Sequence, residues 1–181
     1  MYVRHPVGFR PIDEGDLEVL RLLHNDMTTL LQLGTIEFVS REEQVEWWKG
    51  LGKSRAARFF TLVTVPSGEV IGMLRVQHID TVNAHCEVGL DILPVHRGKG
   101  LGAASYEMVL EFLFQHYNMH MVYLRVAEFN ERARRLYGRL GFEETGRYEE
   151  YLYRHDRYWD YIIMSMTRDR YRQRGEGQPN S

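Results

Sequence analysis

An apolar strand from Val88 to Leu93 gives way, a few residues later, to an apolar-periodic helix from Leu101 to Phe114, and the junction reads Arg97-Gly98-Lys99-Gly100-Leu101-Gly102. Closely spaced glycines remove the Cβ atoms that would block close approach, so successive backbone N–H groups can turn inward onto an anion at the positive end of the helix. Arg97 and Lys99 add two formal charges that a simple chain reversal does not need. The implied ligand is a phosphorylated cofactor, and the fold must supply a strand–glycine loop–helix unit to hold it.

Spacing separates the loops that could do this. A Walker loop needs Lys followed by Ser or Thr after its last glycine, to hold magnesium; here Gly102 is followed by Ala103 and Ala104. Gly98, Gly100 and Ala103 fit the glycine-or-alanine form of the dinucleotide fingerprint. That fold, however, needs an acidic residue about 20 positions on, after another strand. Position 120 is His, and the first nearby acid is Glu128.

The order of elements decides further. Val7 to Ile12 reads as a short strand, and Asp13 as the N-cap of a helix with Leu17, Leu20, Leu23, Met27 and Leu31 at helical spacing. Ser40 and Glu43 have the form of a capping box opening a second helix through Trp47, Trp48 and Leu51. Strands Phe59–Val65 and Val70–Gln77 flank the turn Pro66-Ser67-Gly68-Glu69, and a third strand runs from Ala84 to Leu93. After the loop come the cradle helix, the strand Met121–Val126, a short helix Arg132–Leu140 ended by Gly141, and two strands, Phe142–Tyr153 and Tyr158–Met166. Strand following strand there argues against a doubly wound fold and for a mixed, largely antiparallel sheet flanked by about four helices. Residues 1–167 form a single domain on this reading, with 168–181 a polar, flexible C-terminal tail.

Arg97, Gly100 and Gly102, the preceding strand Glu87–Pro94, and the later stretch Asn130-Glu-Arg-Ala-Arg-Arg-Leu-Tyr137 through Phe142 together resemble the GNAT superfamily of N-acetyltransferases. The likeness runs from about residue 8 to about 167, and its second half resembles the branch of ribosomal-protein N-terminal, spermidine and amino-sugar acetyltransferases. It implies an α/β (α+β) GNAT-like sheet with splayed middle strands, Ala84–Leu93 and Met121–Val126, and acetyl-CoA as co-substrate. Leu90, Asp91 and Ile92 would meet the pantetheine arm through their backbones. Gly98, Lys99, Gly100, Leu101, Gly102 and Ala103, with Arg97, would hold the pyrophosphate, and Asn130 would contact the cofactor.

The chemistry the resemblance implies is attack of a neutral primary amine on the thioester through a ternary complex. An alkyl amine has a pKa near ~10 and is mostly protonated at pH 7, so a proton must be accepted. Glu87 stands where many members carry a carboxylate that acts through water; its alternative role is to hydrogen-bond a neighbouring strand or bind a cationic substrate. Glu128 is a second candidate. Tyr137, seven residues after Asn130, is the acid expected to protonate the departing thiolate. A catalytically silent acyl-CoA-binding sensor or scaffold would keep the loop and need neither Glu87 nor Tyr137.

The acceptor cleft of the family maps to Leu33–Val39 and Glu149–Tyr158. Glu37, Glu149, Glu150 and Asp156 are candidates to pair with an amine, and Tyr148, Tyr151, Tyr153, Trp47 and Trp48 to wall it. Gly34–Val39 is poorer in acid than the same stretch of spermidine enzymes, so peptide N-termini, amino sugars and other small amines stay open. The arginines at 132, 134, 135 and 139 either meet the cofactor's 3′-phosphate or solvate their helix.

Composition bounds the rest. A net charge of −2 in 181 residues gives no general attraction to nucleic acid or to an anionic membrane. One cysteine, Cys86, excludes a disulfide framework, and no early apolar run reads as a signal peptide, which makes the cytoplasm the expected compartment. Only His116 and His120 share an i,i+4 spacing, and one pair does not make a metal site, so no metal is expected. Dimers are common among the resembling enzymes, and an exposed final strand would suit a homodimer.

Overall fold

The computed structural model describes residues 1–176. They fall into two compact units, each built of separate segments: Met1–Gln77 with Val88–Met108, and His78–Glu87 with the chain from Val109 onward. The chain therefore changes unit inside two of its strands.

In the first unit, β1 (Tyr2–Arg4), β2 (Val7–Pro11), β3 (Arg58–Thr64) and the greater part of β4 (Val70–Asp80) form successive antiparallel pairs. Helices α1 (Leu17–Asn25), α2 (Met27–Leu30) and α3 (Arg41–Gly50) lie between β2 and β3 in sequence. The i, i+3 spacing of Leu17, Leu20 and Leu23 puts them on one face of α1, and they form a buried cluster with Ile12 and Met73. Val45, Trp47, Trp48, Leu51 and Phe59 pack against it. Each fully buried leucine contributes about 2 kcal/mol of hydrophobic stabilisation. The Ser40–Glu43 capping box is present: Glu43 N–H donates to Ser40 Oγ at 3.2 Å and Ser40 N–H to Glu43 Oε2 at 2.8 Å.

The single helix expected from Leu17 to Leu31 is two. Asp26 has extended backbone (φ −66°, ψ 122°) and caps α2 by accepting the Thr29 N–H at 3.0 Å. The apolar spacing carried on through Met27, but that side chain is exposed. Asp13 likewise precedes only a 3-10 turn, Glu14–Asp16, and the residue before α1 is Asp16.

In the second unit, β5 (His85–Ile92) pairs in parallel with β6 (Met121–Ala127) through His85↔Met121, Cys86↔Val122 and Glu87↔Tyr123. No further rung is formed between them among the described residues, although both strands continue; this is the parting of the middle strands expected from the sequence. β8 (Arg157–Thr167) is antiparallel to both β6 and β7 (Glu143–Arg154). The hydrogen-bonded strand order is β1-β2-β3-β4-β5-β6-β8-β7. The final strand is thus flanked on both sides, which corrects the expectation that it is an exposed edge; the edge is β7.

Alternation sorts the faces of β6 and β8. The opposed pairs Val122↔Met166, Leu124↔Met164 and Val126↔Ile162 are all buried, and the other face carries Tyr123, Arg125, Tyr161 and Ile163. Six α-helices occur among the described residues, with α4 (Leu101–Glu111), α5 (Glu131–Arg139) and α6 (Arg168–Glu176) completing the set. Leu101–Phe114, read as one helix, is α4 followed by a π-helical turn, Phe112–His116. The stretch read as a flexible tail begins as α6. Arg168 Nε donates to the Met119 carbonyl at 2.9 Å, and the Phe114 and Tyr171 rings stack at 4.8 Å. Residues 177–181 lie outside the described part. Among the described residues no helix is long and apolar enough to cross a membrane.

Buried Asp16 ties β2, the 3-10 turn and β3 together. Its carboxylate accepts from Arg10 Nη1 at 2.7 Å and Nη2 at 2.8 Å, from Asp13 N–H at 3.0 Å and from Thr61 Oγ1 at 2.7 Å. Burial pushes the carboxyl up, but these donors, Arg10 first among them, outweigh it and hold it below the usual carboxylate range. Asp16→Ala strands the buried Thr61 hydroxyl and leaves the Arg10 guanidinium only Asp13, at 2.9 Å, and the Pro11 carbonyl, and should cost about 3 kcal/mol of unfolding free energy in urea titrations. Because the folded group is depressed, this contribution is complete above about pH 4 and is lost as pH falls through the folded value. The deficit of the variant should therefore shrink in acid.

Candidate functional site

The glycine loop has the backbone its sequence calls for. Gly98 and Gly100 have φ of 80° and 79°, in the left-handed region that side chains disfavour. Gly102 does not share that conformation; a Cβ there would meet only Ile92 Cγ1, at 3.8 Å. The first intrahelical bond of α4 runs from Ala104 N–H to the Gly100 carbonyl at 3.1 Å. The amides of Leu101, Gly102 and Ala103 are left over by the helix, as at any N-terminus, and Gly98, Lys99 and Gly100 are exposed beside them. This backbone suits an anion.

Arg97 is already engaged. Its Nε donates to the Ile92 carbonyl at 2.9 Å, and its Nη1 and Nη2 donate to Thr28 Oγ1 and Thr29 Oγ1 at 2.6 Å each, with Asp26 Oδ1 at 3.8 Å. The guanidinium fastens the end of β5 to α2, and Asp26, which broke the helix, is part of the same arrangement. The cation expected at the phosphate is thus bonded within the protein, where it braces the loop.

Within β5 the backbone lies hard against β4. A Cβ on Gly72 would come within 1.9 Å of the Asp91 carbonyl oxygen, so only glycine fits there. Arg75 forms an ion pair with Asp91, and its guanidinium lies 3.0 Å from where a Cβ of Gly89 would be. The Asp91 side chain is therefore held by Arg75.

Glu87 sits on the last rung of the parallel ladder. Arg125 grips it with both arms, Nε to Oε1 at 2.8 Å and Nη2 to Oε2 at 2.9 Å, and His78 Nδ1 lies 2.9 Å from Oε2. The carboxylate side chain is 13 % exposed and that of His78 is 59 % exposed. The Glu87 hydrogen bonds raise the Arg125 guanidinium pKa against the opposing cost of burial. Arg125 also lies over the Tyr161 ring, at 5.4 Å. Neither His78 nor Arg125 was found from sequence. The available signal was the polar pair Gln77-His78 interrupting the apolar run of β4.

Asn130 caps α5 by accepting the Ala133 N–H at 3.1 Å. Tyr137, half-buried on the same helix, packs edge-on against Phe142 at 6.1 Å. Arg135 is paired with Glu131, at 2.8 Å. Of the expected acceptor walls, Trp47 and Trp48 belong to the core of the first unit: Trp48 Nε1 donates to the Ile12 carbonyl at 3.1 Å and Trp47 packs on Phe59. Tyr148, Tyr151 and Tyr161 form a run of contacting rings, with centroid separations of 5.2 Å and 5.7 Å. Glu37, Glu149, Glu150 and Asp156 are exposed, and Asp156 accepts the Tyr153 hydroxyl at 2.8 Å.

Residues 7–143 match the family model described as an acetyltransferase (GNAT) domain. A spermidine N(1)-acetyltransferase of Vibrio cholerae is 28% identical over 167 residues, covering 92% of this chain and 96% of that protein. A phosphinothricin N-acetyltransferase of Streptomyces coelicolor is 28% identical over 159 residues, covering 85% and 92%. Among solved structures, a spermidine N-acetyltransferase from Vibrio cholerae in complex with CoA and spermine has a TM-score of 0.86 and 27% identity, covering 93% of this chain and 99% of that one.

Nothing crowds a Cβ at Gly100, so Gly100→Ala tests the backbone alone. A left-handed alanine costs about 1–2 kcal/mol. We expect a small loss of stability and roughly a tenfold weaker Kd for CoA by calorimetry, the equivalent of about 1.4 kcal/mol.

Proposed function

The chain belongs to the acetyltransferase (GNAT) domain family and is an acetyl-CoA-dependent N-acetyltransferase, and from that premise we propose that it acetylates a small primary amine by direct attack within a ternary complex. The observation that carries this reading is the loop at Gly98–Ala103, whose left-handed glycines and unused helix-terminal amides suit a pyrophosphate. Leu90, Asp91 and Ile92 would hold the pantetheine arm by backbone. One of their amides would stabilise the oxyanion on the thioester carbonyl. Asn130 would add a cofactor contact, and residues 1–167 would act as one acetyltransferase domain.

Direct attack is supported by the lack of a thiol nucleophile. Cys86 is the only cysteine, it is fully buried, and burial pushes its thiol up to about 12. Such a thiol does not form an acetyl-enzyme at neutral pH. A lone buried cysteine also suits a reducing, cytoplasmic setting. Tyr137 would protonate the thiolate as the C–S bond breaks, and the Glu87 end of β5 would receive the proton of the amine.

The named acceptors of the relatives, spermidine and phosphinothricin, are both small amines. The sequence favoured acceptors other than polyamines, because Gly34–Val39 holds a single acid, Glu37. The assay is thiol release from acetyl-CoA against spermidine, spermine, phosphinothricin, short peptides beginning with Ser, Ala or Met, and amino sugars. Turnover of one class names the acceptor; tight CoA binding with no turnover on any would favour the silent acyl-CoA-binding module. Tyr137→Phe should lower kcat about 100-fold with little change in CoA affinity. An unchanged kcat would remove Tyr137 as the acid.

A further inference from the structure

We propose that His78 is the catalytic base of this chain, taking the proton of the attacking amine on Nε2, with Glu87 a positioning residue that acts through it. The inference rests on the acetyltransferase reading above and deepens it. Three observations within the second unit carry it.

The first is occupancy. Both oxygens of Glu87 are held by Arg125, at 2.8 Å and 2.9 Å, and Oε2 is also bonded to His78. A carboxylate so enclosed has little left with which to meet an amine, whereas the imidazole bonded to it is mostly exposed. The second is backbone. His78 has a left-handed φ, 49°, inside the strand β4. That conformation is disfavoured for a residue with a Cβ. Here it is held where the imidazole meets Glu87, at 2.9 Å.

The third is chemistry. Imidazole is the side chain that changes charge between pH 5 and 8, whereas an ordinary carboxylate is a weak base at pH 7. Glu87, an acceptor, fixes the tautomer with the proton on Nδ1 and leaves the Nε2 lone pair outward. The groups facing the ring are Glu87 on β5 and, behind it, Arg125 and Tyr123 on β6, with Tyr161 of β8 under Arg125. Asp80 and His85, 3.7 Å apart, pair with each other nearby in sequence. In the reaction the amine nitrogen attacks the carbonyl carbon and the C–N bond forms. The C–S bond breaks with its electron pair to sulfur, and the nitrogen's proton passes to Nε2 and on to solvent. The thiolate is protonated by Tyr137 on the reading above.

The test compares wild type, His78→Gln and Glu87→Gln across pH 5.5–9.5, with acetyl-CoA saturating and the acceptor identified by the panel. For His78→Gln we expect kcat at pH 7 to fall about 100- to 1,000-fold with CoA affinity unchanged, and the imidazole limb of the kcat profile to vanish. Glu87→Gln should keep that limb and lower kcat by less than His78→Gln does, with CoA affinity unchanged. A His78→Gln enzyme within threefold of wild type, with the same profile, overturns the proposal, the more so if Glu87→Gln is inactive. Nitrogen-15 spectra of the free enzyme give a second reading that needs no acceptor. The neutral ring should be the Nδ1–H tautomer and should lose that preference in Glu87→Gln. An Nε2–H ring in wild type overturns the proposal. Loss of turnover on every amine, with the Nδ1–H ring present, would instead count against the acetyltransferase reading.

Discussion

The two-armed pair between Glu87 and Arg125 is the constraint from which the rest of the second unit can be read. It closes a parallel ladder of three rungs, at the last residue before β5 passes to the first unit. A parallel pair held by so few backbone bonds is weak, and a charge-assisted fork across its final rung supplies both strength and register. Because Arg125 is consumed on Glu87, and stacks over Tyr161, the face of β6 and β8 that bears them is polar and aromatic. Its reverse, with Val122, Leu124, Ile162 and Met164, is core. The ion pair therefore lies on the face opposite that core.

A similar economy governs the first unit. Arg10 is spent on Asp16, Arg75 on Asp91, and Arg97 on Thr28, Thr29 and the Ile92 carbonyl. All three serve to place backbone, and of them Arg97 is the one that the sequence reads as a ligand for an anionic cofactor. On the proposed reading a pyrophosphate would be met chiefly by amides, which are fixed in direction. The same close placing of backbone requires Gly72, where a Cβ would fall 1.9 Å from the Asp91 carbonyl oxygen.

What the sequence made legible was local. The capping box at Ser40–Glu43, the turn after Thr64 and the left-handed glycines of the loop each depend on residues within a few positions of one another. What it hid was partnership over distance. Arg97 reads as a phosphate ligand, and nothing local shows that Thr28 and Thr29, almost seventy residues earlier, hold its guanidinium. Asp26 reads as an interruption in an amphipathic helix because Met27 keeps the apolar period, although Asp followed three residues later by Thr29, whose amide it accepts, is a cap in its own right. The helix α6 was lost to composition: an arginine-rich, polar end looks like a tail until Tyr171 finds Phe114 and Arg168 finds Met119.

The aromatic run Tyr148–Tyr151–Tyr161 extends the same logic to acceptor choice. β7 departs from its register with β8 between Tyr148 and Leu152, and within that irregularity Glu150 is left-handed, with φ 47°. Its amide donates to Asp160, at 3.0 Å, which pins the distortion. The distortion allows Tyr148 and Tyr151, three residues apart, to touch on one face where simple alternation would set them on opposite sides. The strand thus gives up regular pairing to gather aromatic rings, and the innermost of them, Tyr161, lies under Arg125. On the proposed reading, an acceptor meeting that face would be selected by the body that carries the amine, with its charge answered by the few exposed acids of the hairpin.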